Sequence, residues 1–202
     1  MISILDYGLG NVKAIKKVYD NLNVPSKIAS EAKQLKDSEK FILPGVGSFD
    51  FAMNQFNSTD MVPIIEDEVL NKKKPILGIC VGMQMMTKSS EEGVLPGLGW
   101  LNAKIVKFKE SAKINLFPHM GWNNIIVNSD NKIFKNLNSK SYFYFLHSYY
   151  LKPKDEVLSI AKADYSLNFT CAVMSDNIFG VQFHPEKSHE NGITLLKNFS
   201  DL

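Results

Sequence analysis

The sequence has 202 residues, of which 45% are hydrophobic and 22% are charged, a balance typical of soluble globular proteins rather than disordered chains. All 23 basic residues are lysine, which excludes bidentate guanidinium recognition of phosphate, and the formal net charge of +2 does not indicate nucleic-acid binding. No apolar run approaches the roughly 18 residues of a membrane span, and residues 1–11 lack a signal-peptide pattern. We therefore expect one cytoplasmic domain over residues 1–202.

Strand-like apolar runs alternate with helical patterns in the first half of the chain. The predicted strands cover residues 2–6, 40–43 and 75–79, and the predicted helices cover residues 12–22 and 62–70, with a further helix beginning at Gly82. Such alternation is typical of βαβ units, and it predicts a parallel sheet.

The second half of the chain has strand-like runs with few helices between them. These runs cover residues 104–108, 124–127, 142–146, 157–161, 169–174 and 179–183, and a predicted helix over 193–199 closes the chain. We therefore expect an α/β fold with a central, mostly parallel sheet flanked by helices, and an antiparallel or mixed extension in the second half.

The sharpest local pattern is Gly78-Ile79-Cys80-Val81-Gly82, which directly follows a predicted strand and directly precedes a predicted helix. A G-x-nucleophile-x-G turn of this kind exposes its nucleophile at the end of an α/β sheet, here with cysteine in place of serine. A helix N-terminus favours the reactive thiolate and directs free backbone N–H groups, beginning with that of Val81, at a developing oxyanion. A buried structural cysteine in a glycine-rich turn is the alternative interpretation.

A cysteine nucleophile needs a base, and the base needs an orienting group. His184 follows the last predicted strand, at the edge of the sheet where α/β proteins place their active sites. Glu186 stands two residues further on and can bond the imidazole, which leaves the other ring nitrogen to face the thiol. The His-Pro-Glu sequence is weak by itself, but together with Cys80 it predicts a Cys-His-Glu triad.

Seven segments spread over the whole chain carry a resemblance to a known family. They are DYGLGN (6–11), PGVGSF (44–49), GICVGMQ (78–84), SSEEG (89–93), PHMGWN (118–123), FLHSYY (145–150) and GVQFHPEKS (180–188). Together they resemble the class I, triad-type glutamine amidotransferases, and most closely the glutaminase subunits of imidazole glycerol phosphate synthases from histidine biosynthesis. DYGLGN and PHMGWN are more specific for these subunits than the triad motifs are.

The resemblance implies a role for each matching residue. Cys80 would attack the side-chain amide of L-glutamine, and His184, oriented by Glu186, would move protons. Backbone N–H groups of Val81 and of Val46 or Gly47 would form the oxyanion hole. The residues expected to hold the amino-acid end of glutamine are Gln84, Glu92, His147, Ser148 and Tyr149.

The resemblance also implies a partner, a separate (β/α)8-barrel cyclase that forms a heterodimer with this chain and receives ammonia through an internal channel. Asn11, Met120 and Trp122 stand in motifs that the family places at or near that interface. Tryptophan and methionine suit an interface hot spot on physical grounds. The alternative interpretation is that Trp122 is a core aromatic residue.

Several other reactive residues are interpreted as structural. Cys171 stands in the strand-like FTCAVM run without a basic neighbour, which predicts a core position, and no disulfide is expected in the cytosol. His119 receives no catalytic role, and His189 is expected on the surface at the start of a helix. Because the sequence has no metal-ligand cluster and no P-loop, we predict neither a metal nor another cofactor.

Three other functions remain open on the sequence alone. A paralogous amidotransferase subunit would supply ammonia for surface-sugar precursors, and residues 99–100 depart slightly from the histidine-pathway pattern. Another cysteine hydrolase, of a peptidase-like or stress-response type, would use the same scaffold, although the SSEEG segment argues against it. A non-catalytic scaffold is disfavoured because nucleophile, base and orienting acid are all present.

Overall fold

The structure, a computed structural model, describes residues 1–108, 117–127 and 131–202. Within these residues the strands are, in chain order, β1 (Ile2–Leu5), β2 (Ser26–Ala29), β3 (Lys40–Gly45), β4 (Ile76–Cys80), β5 (Ala103–Lys107), β6 (His119–Asn124), β7 (Ile126–Val127), β8 (Tyr142–His147), β9 (Tyr149–Pro153), β10 (Ser159–Asp164), β11 (Asn168–Ser175) and β12 (Ile178–Val181). The α-helices in the same residues are α1 (Val12–Asn21), α2 (Phe49–Asn57), α3 (Val62–Glu66), α4 (Val81–Met85) and α5 (His189–Ser200). The predicted span of one domain, 1–202, includes residues outside the described ranges and stays a prediction.

The parallel part of the main sheet has the spatial order β2–β1–β3–β4–β12. β1 and β4 are buried along their whole length, as expected for parallel strands that are covered on both faces. Their continuous apolar runs made them predictable. The strands predicted over residues 2–6, 40–43 and 75–79 are confirmed to within two residues at each end.

The four predicted helices are present, two of them with different bounds, and α2 was not predicted. The helix predicted over residues 62–70 is α3, which accommodates Pro63 in its first turn and continues as a π-helical turn over Asp67–Asn71. α5 begins at His189 rather than at residue 193. The predicted start was too late because the first residues of the helix are polar and show no apolar spacing.

The second half of the chain forms the antiparallel extension. β12 pairs antiparallel with β11, the order continues through β10 to β7, and β9 pairs with both β11 and β5. β6 and β8 form a separate two-stranded ribbon. This arrangement confirms the predicted α/β fold with a mostly parallel central sheet and an antiparallel extension.

Two strands predicted in this half are wrong in their bounds. The run at residues 124–127 is not one strand, since Asn124 ends β6, which pairs with β8, whereas Ile126 begins β7, which pairs with β10. The run at residues 157–161 begins as a 3₁₀ turn over Glu156–Leu158, and β10 starts only after that turn. In the first place the chain passes from one sheet to the other at Ile125, and in the second a 3₁₀ turn precedes the strand.

The sheet topology brings distant parts of the chain to one edge. β4 and β12 are parallel neighbours with Ile79 opposite Val181, so their carboxyl ends point to the same edge of the sheet. Cys171 is fully buried in β11, which confirms its predicted core position. Among residues 1–108, 117–127 and 131–202, no helix has both the length and the apolar character to cross a bilayer.

Candidate active site

Cys80 occupies a strained backbone position at the end of β4. Its φ of 54° and ψ of −115° lie in a region that residues with a side chain rarely adopt. The chain turns at once into α4, since Val81 is already the first helical residue. This strained strand-to-helix turn has the geometry of a nucleophile elbow.

Close backbone contacts hold the elbow in this conformation. A Cβ atom added to Gly82 would lie 1.9 Å from the carbonyl oxygen of Leu43, and one added to Gly78 would lie 2.7 Å from the Cα of Met83. Both neighbours are backbone atoms, so neither can rotate away as a side chain would. The two glycines therefore allow β3, β4 and α4 to approach closely around Cys80.

His184 is held beside Cys80 by contacts from the antiparallel half. Its backbone N–H donates to the Tyr144 carbonyl at 2.9 Å, and Ser188 Oγ donates to the His184 carbonyl at 2.6 Å. Its Nδ1 lies 3.0 Å from Glu186 Oε1, and both side chains are almost fully buried. His184 and Cys80 line the same cavity, and Cys80 is close enough to raise the pKa of the imidazole.

The surroundings of His184 favour its charged form. Burial lowers the pKa of His184, but the hydrogen bonds and charges of Cys80 and Glu186 outweigh burial and raise the pKa from 6.5 to about 10. An imidazolium between a carboxylate and a sulfur can stabilise a thiolate and later protonate a leaving group. The arrangement is chemically suited to nucleophilic attack on an amide.

A cavity of about 220 Å³ opens onto Cys80 and His184. It is smaller than the roughly 300–1,000 Å³ of sites for drug-sized ligands, so it suits a small metabolite. The lining residues are Val46, Gly47, Cys80, Val81, Gln84, Glu92, Leu146, His147, Ser148, Tyr149, His184 and Lys187. The cavity thus brings together every residue predicted for the nucleophile, base, oxyanion hole and glutamine site, while Glu186 bonds His184 from behind. Leu146 and Lys187 were not predicted.

Two buried amide side chains connect the cavity wall to the sulfur. Gln182 is fully buried, with Nε2 3.7 Å from Cys80 Sγ, and its Oε1 accepts from Gln84 Nε2 at 3.1 Å. Gln84 Nε2 also lies 3.5 Å from the Tyr149 carbonyl oxygen. Sequence reasoning missed Gln182, although a glutamine inside an apolar strand run is a buried polar residue that needs a partner.

A pair of buried histidines supports another part of the wall. His147 Nδ1 lies 2.8 Å from the Tyr149 carbonyl oxygen, and its Nε2 lies 3.0 Å from His119 Nδ1. Because a carbonyl only accepts, His147 carries its proton on Nδ1, and His119 donates to it from its own Nδ1. Asn123 Nδ2 completes the chain 3.3 Å from His119 Nε2.

Burial keeps both histidines of this pair neutral. It lowers the pKa of His119 to about 4, and burial together with the neighbouring His119 lowers the pKa of His147 to about 3. Protonation of either ring would put two N–H groups face to face, so the hydrogen-bonded chain exists only while both rings are neutral.

Glu92 and Gly47 form the part of the wall next to α2. Glu92 Oε2 accepts from the backbone N–H of Phe49 at 2.9 Å, which anchors its carboxylate at the start of that helix. Gly47 has a φ of +88°, which glycine adopts without strain, and an added Cβ would meet no atom within 4 Å. The site therefore has an anchored negative charge beside a permissive stretch of backbone.

The three predicted interface residues lie outside the cavity, on the surface. Met120 and Trp122 are 65% and 48% exposed on β6, and Asn11 is exposed just before α1. The Trp122 ring stacks on His189, with centroids 5.0 Å apart and planes 6° apart. The alternative of a core position for Trp122 is therefore wrong, and His189 is exposed at a helix start as predicted.

The chain is similar to known proteins over its whole length. Residues 3–201 match the family "Glutamine amidotransferase class-I". The chain is 49% identical to imidazole glycerol phosphate synthase subunit HisH of Leptospira interrogans over 100% of both chains. It is 47% identical to imidazole glycerol phosphate synthase subunit HisH 2 of Methanococcus maripaludis over 98% of both chains.

A solved structure shares the fold at much lower identity. The crystal structure of a glutamine amidotransferase from Thermotoga maritima superposes with a TM-score of 0.67 and 17% identity, covering 99% of this chain and 82% of that one. Fold, full-length sequence similarity and family match agree. The chain belongs to the class I glutamine amidotransferase family.

Proposed function

We propose that this chain is the glutaminase subunit of an imidazole glycerol phosphate synthase, which hydrolyses L-glutamine to glutamate and ammonia for histidine biosynthesis. The observation that carries the chemistry is the juxtaposition of Cys80, on its strained elbow, with His184 bonded to Glu186. The full-length similarity to HisH subunits supports the pathway.

In the proposed reaction the sulfur of Cys80 attacks the carboxamide carbon of glutamine, forming a C–S bond while the carbonyl electrons move to oxygen. His184 gives its proton to the amide nitrogen, the C–N bond breaks, and ammonia leaves a γ-glutamyl thioester. Water then adds to the thioester as His184 accepts a proton, and cleavage of the C–S bond releases glutamate. Glu186 keeps the imidazole oriented and stabilises its positive charge.

The negative oxygen of each tetrahedral intermediate needs preorganised N–H donors. We assign the backbone N–H of Val81 and one from Val46 or Gly47, since all three residues line the cavity with Cys80. The positive φ of Gly47 supports this assignment, because glycine lets that peptide rotate where another residue would resist.

The amino-acid end of glutamine is assigned to the remaining wall, formed by Gln84, Glu92 and residues 147–149. The carboxylate of Glu92 supplies a negative charge for the α-ammonium group, and the Phe49 N–H holds it in place. His147 holds the Tyr149 carbonyl at 2.8 Å, so this side of the wall keeps its shape without substrate.

In this proposal the ammonia passes to a second protein, a (β/α)8-barrel cyclase in a heterodimer with an internal channel. Exposed Met120 and Trp122 support an interface on β6, and Asn11 belongs to the same assignment. A cytoplasmic location is part of the proposal, because the unpaired thiol of Cys80 stays reduced in that compartment.

The test is glutamate production from L-glutamine by the purified chain, with and without a co-purified barrel cyclase and its nucleotide substrate. We expect slow hydrolysis by the chain alone and a sharp rise in the complex. Activity that responds only to a sugar-pathway synthetase would keep the triad and reassign the pathway.

The variants Cys80→Ala and Cys80→Ser should abolish hydrolysis and leave the circular dichroism spectrum and partner binding unchanged. Glutamate formation by Cys80→Ala would exclude the mechanism, because no other residue that lines the described cavity carries a thiol to form the thioester.

A further inference from the structure

The sulfur of Cys80 has a hydrogen-bond donor in the buried side-chain amide of Gln182. Gln182 Nε2 lies 3.7 Å from Sγ, within range for a hydrogen bond to sulfur. Gln182 is fully buried, so its side chain is shielded from solvent, and its backbone N–H donates to the Cys171 carbonyl at 2.8 Å. We propose that Gln182 is a further catalytic residue, which donates a hydrogen bond to the thiolate form of Cys80. This assignment rests on the proposed use of Cys80 as the nucleophile.

The direction of the amide is decided by its neighbours. A side-chain amide can face a partner with its nitrogen or with its oxygen, and the hydrogen-bond network must choose. The Tyr149 carbonyl can only accept, so Gln84 turns its nitrogen towards it, at 3.5 Å. The same nitrogen lies 3.1 Å from the side chain of Gln182, which must therefore accept the hydrogen bond with its oxygen. Gln182 therefore presents its nitrogen to Cys80.

The Tyr149 carbonyl, at which this chain of hydrogen bonds begins, is itself held in place. It accepts from His147 Nδ1 at 2.8 Å, and His119 fixes that tautomer of His147 from behind at 3.0 Å. A carbonyl oxygen has two lone pairs, so it can accept from His147 and Gln84 at once. The orientation of the amide at Cys80 is thus set by groups that take no part in bond making.

A donor aimed at the sulfur distinguishes the two states of the nucleophile. Hydrogen bonds to a charged acceptor are roughly twice as strong as those between neutral groups, so Gln182 stabilises the thiolate more than the thiol. It does so before attack and again when the thioester breaks and the sulfur leaves. Because the amide is neutral, it adds no charge beside His184 and leaves proton transfer to the imidazole.

The variant Gln182→Glu tests the proposal, because it keeps the shape and the acceptor for Gln84 but puts an oxygen against the sulfur. Gln182→Met removes the donor without adding an ionisable group. The readout is the rate of Cys80 alkylation by iodoacetamide from about pH 5 to pH 10, which needs neither glutamine nor a partner. Cys171 is fully buried, and Cys80→Ser gives the background rate.

We expect the alkylation rate at neutral pH to fall about tenfold in both variants, and the midpoint of the rate against pH to rise by roughly one pH unit. Gln84→Leu, which removes the orienting partner alone, should give a smaller change in the same direction. Gln55→Glu makes the same amide-to-acid change on α2, outside the cavity, and should keep the wild-type rate.

Thermal unfolding followed by circular dichroism shows whether each variant is folded. If Gln182→Glu does not fold, Gln182→Met and Gln84→Leu decide. Folded Gln182 variants with the wild-type rate and midpoint would overturn the proposal and leave Gln182 a structural residue. The Gln182 variants could lower the alkylation rate as expected while the wild-type chain makes no glutamate with any partner. That outcome would overturn the proposed function and leave the role of Gln182 at the sulfur intact.

Discussion

The proposed nucleophile, Cys80, and the proposed base, His184, are held by different kinds of contact. Cys80 stands in the parallel half, where backbone atoms approach so closely that Gly78 and Gly82 admit no side chain. His184 stands at the edge of the antiparallel half, where a side-chain bond to Glu186 and a backbone bond to β8 position it. Close-packed backbone resists any local adjustment, whereas hydrogen bonds between side chains respond to protonation and small shifts. Cys80 is therefore the rigid part of the proposed site, and His184 and the cavity wall proposed to bind glutamine are its adjustable part.

Removing the base is the strongest way to test the adjustable part. We expect His184→Ala to lower kcat for glutamine hydrolysis by roughly 10⁴-fold or more, because the sulfur loses its proton partner. Steady-state glutamate formation by the complex measures the loss. Glu186→Gln is the matched control and should lose less, since the imidazole keeps a hydrogen-bond acceptor. A loss below tenfold in His184→Ala would mean that another group serves as the base.

Adding one methyl group tests the rigid part. Gly82→Ala drives its Cβ into the Leu43 carbonyl, and we expect it to destabilise the protein by about 2–4 kcal/mol, measured by urea unfolding. Gly99→Ala is the control for backbone strain without a steric clash, because Gly99 has a positive φ of 72°, unlike Gly82, and its added Cβ meets no atom within 4 Å. It should cost only about 1–2 kcal/mol of backbone strain. Equal losses in the two variants would show that steric contact does not hold the elbow.

A third variant tests whether the exposed face of β6 binds the proposed cyclase partner. Trp122→Ala should raise the Kd for the cyclase by about tenfold or more, because a half-exposed tryptophan loses a large apolar contact on removal. Isothermal titration with the purified cyclase measures it. Val157→Ala, at a residue 79% exposed and away from β6, should leave the Kd unchanged. An unchanged Kd in Trp122→Ala would place the interface elsewhere.

The last prediction concerns the pH dependence set by the buried histidine pair. The pKa of His119 is lowered to about 4 and that of His147 to about 3, whereas both are near 6.5 in the unfolded chain. The unfolded chain therefore binds more protons below pH 6.5, so stability is complete above that pH and falls as the pH drops towards 4. Urea midpoints at pH 7 and pH 5 measure the decline. His119→Gln removes one titrating ring, so its urea midpoint should fall less between pH 7 and pH 5 than that of the wild type. An equal fall in the two proteins would mean that other groups cause the loss of stability.

The strands β1, β3 and β4 could be predicted, and the triad could be proposed, because they depend on short local patterns in the sequence. β2 could not, since Ser26–Ala29 is a short, half-buried edge strand without an apolar run. α2 was missed although its buried residues Phe49, Ala52, Met53 and Phe56 have helical spacing. The cavity wall came from family resemblance rather than from periodicity, because its residues are far apart in the chain.

The hydrogen-bonded chains behind the cavity could not be predicted at all. His119 meets His147 only because β6 pairs with β8 in a register that sets these two residues opposite each other. Gln182 reaches Cys80 only because β12 joins the sheet beside β4. Both contacts depend on strand neighbours and register, which composition and local spacing do not encode.

The late position of β12 in the chain has a consequence for biosynthesis. A nascent polypeptide that ends before residue 178 has an open β4 edge and a cysteine without its base, so it cannot consume glutamine while it is being translated. In this proposal, catalytic competence arrives only after the segment with β12 and His184 has left the ribosome. In a protein cut before β12, the peptide of residues 178–202 would have to pair with β4 to restore hydrolysis, and ammonia release would report that complementation.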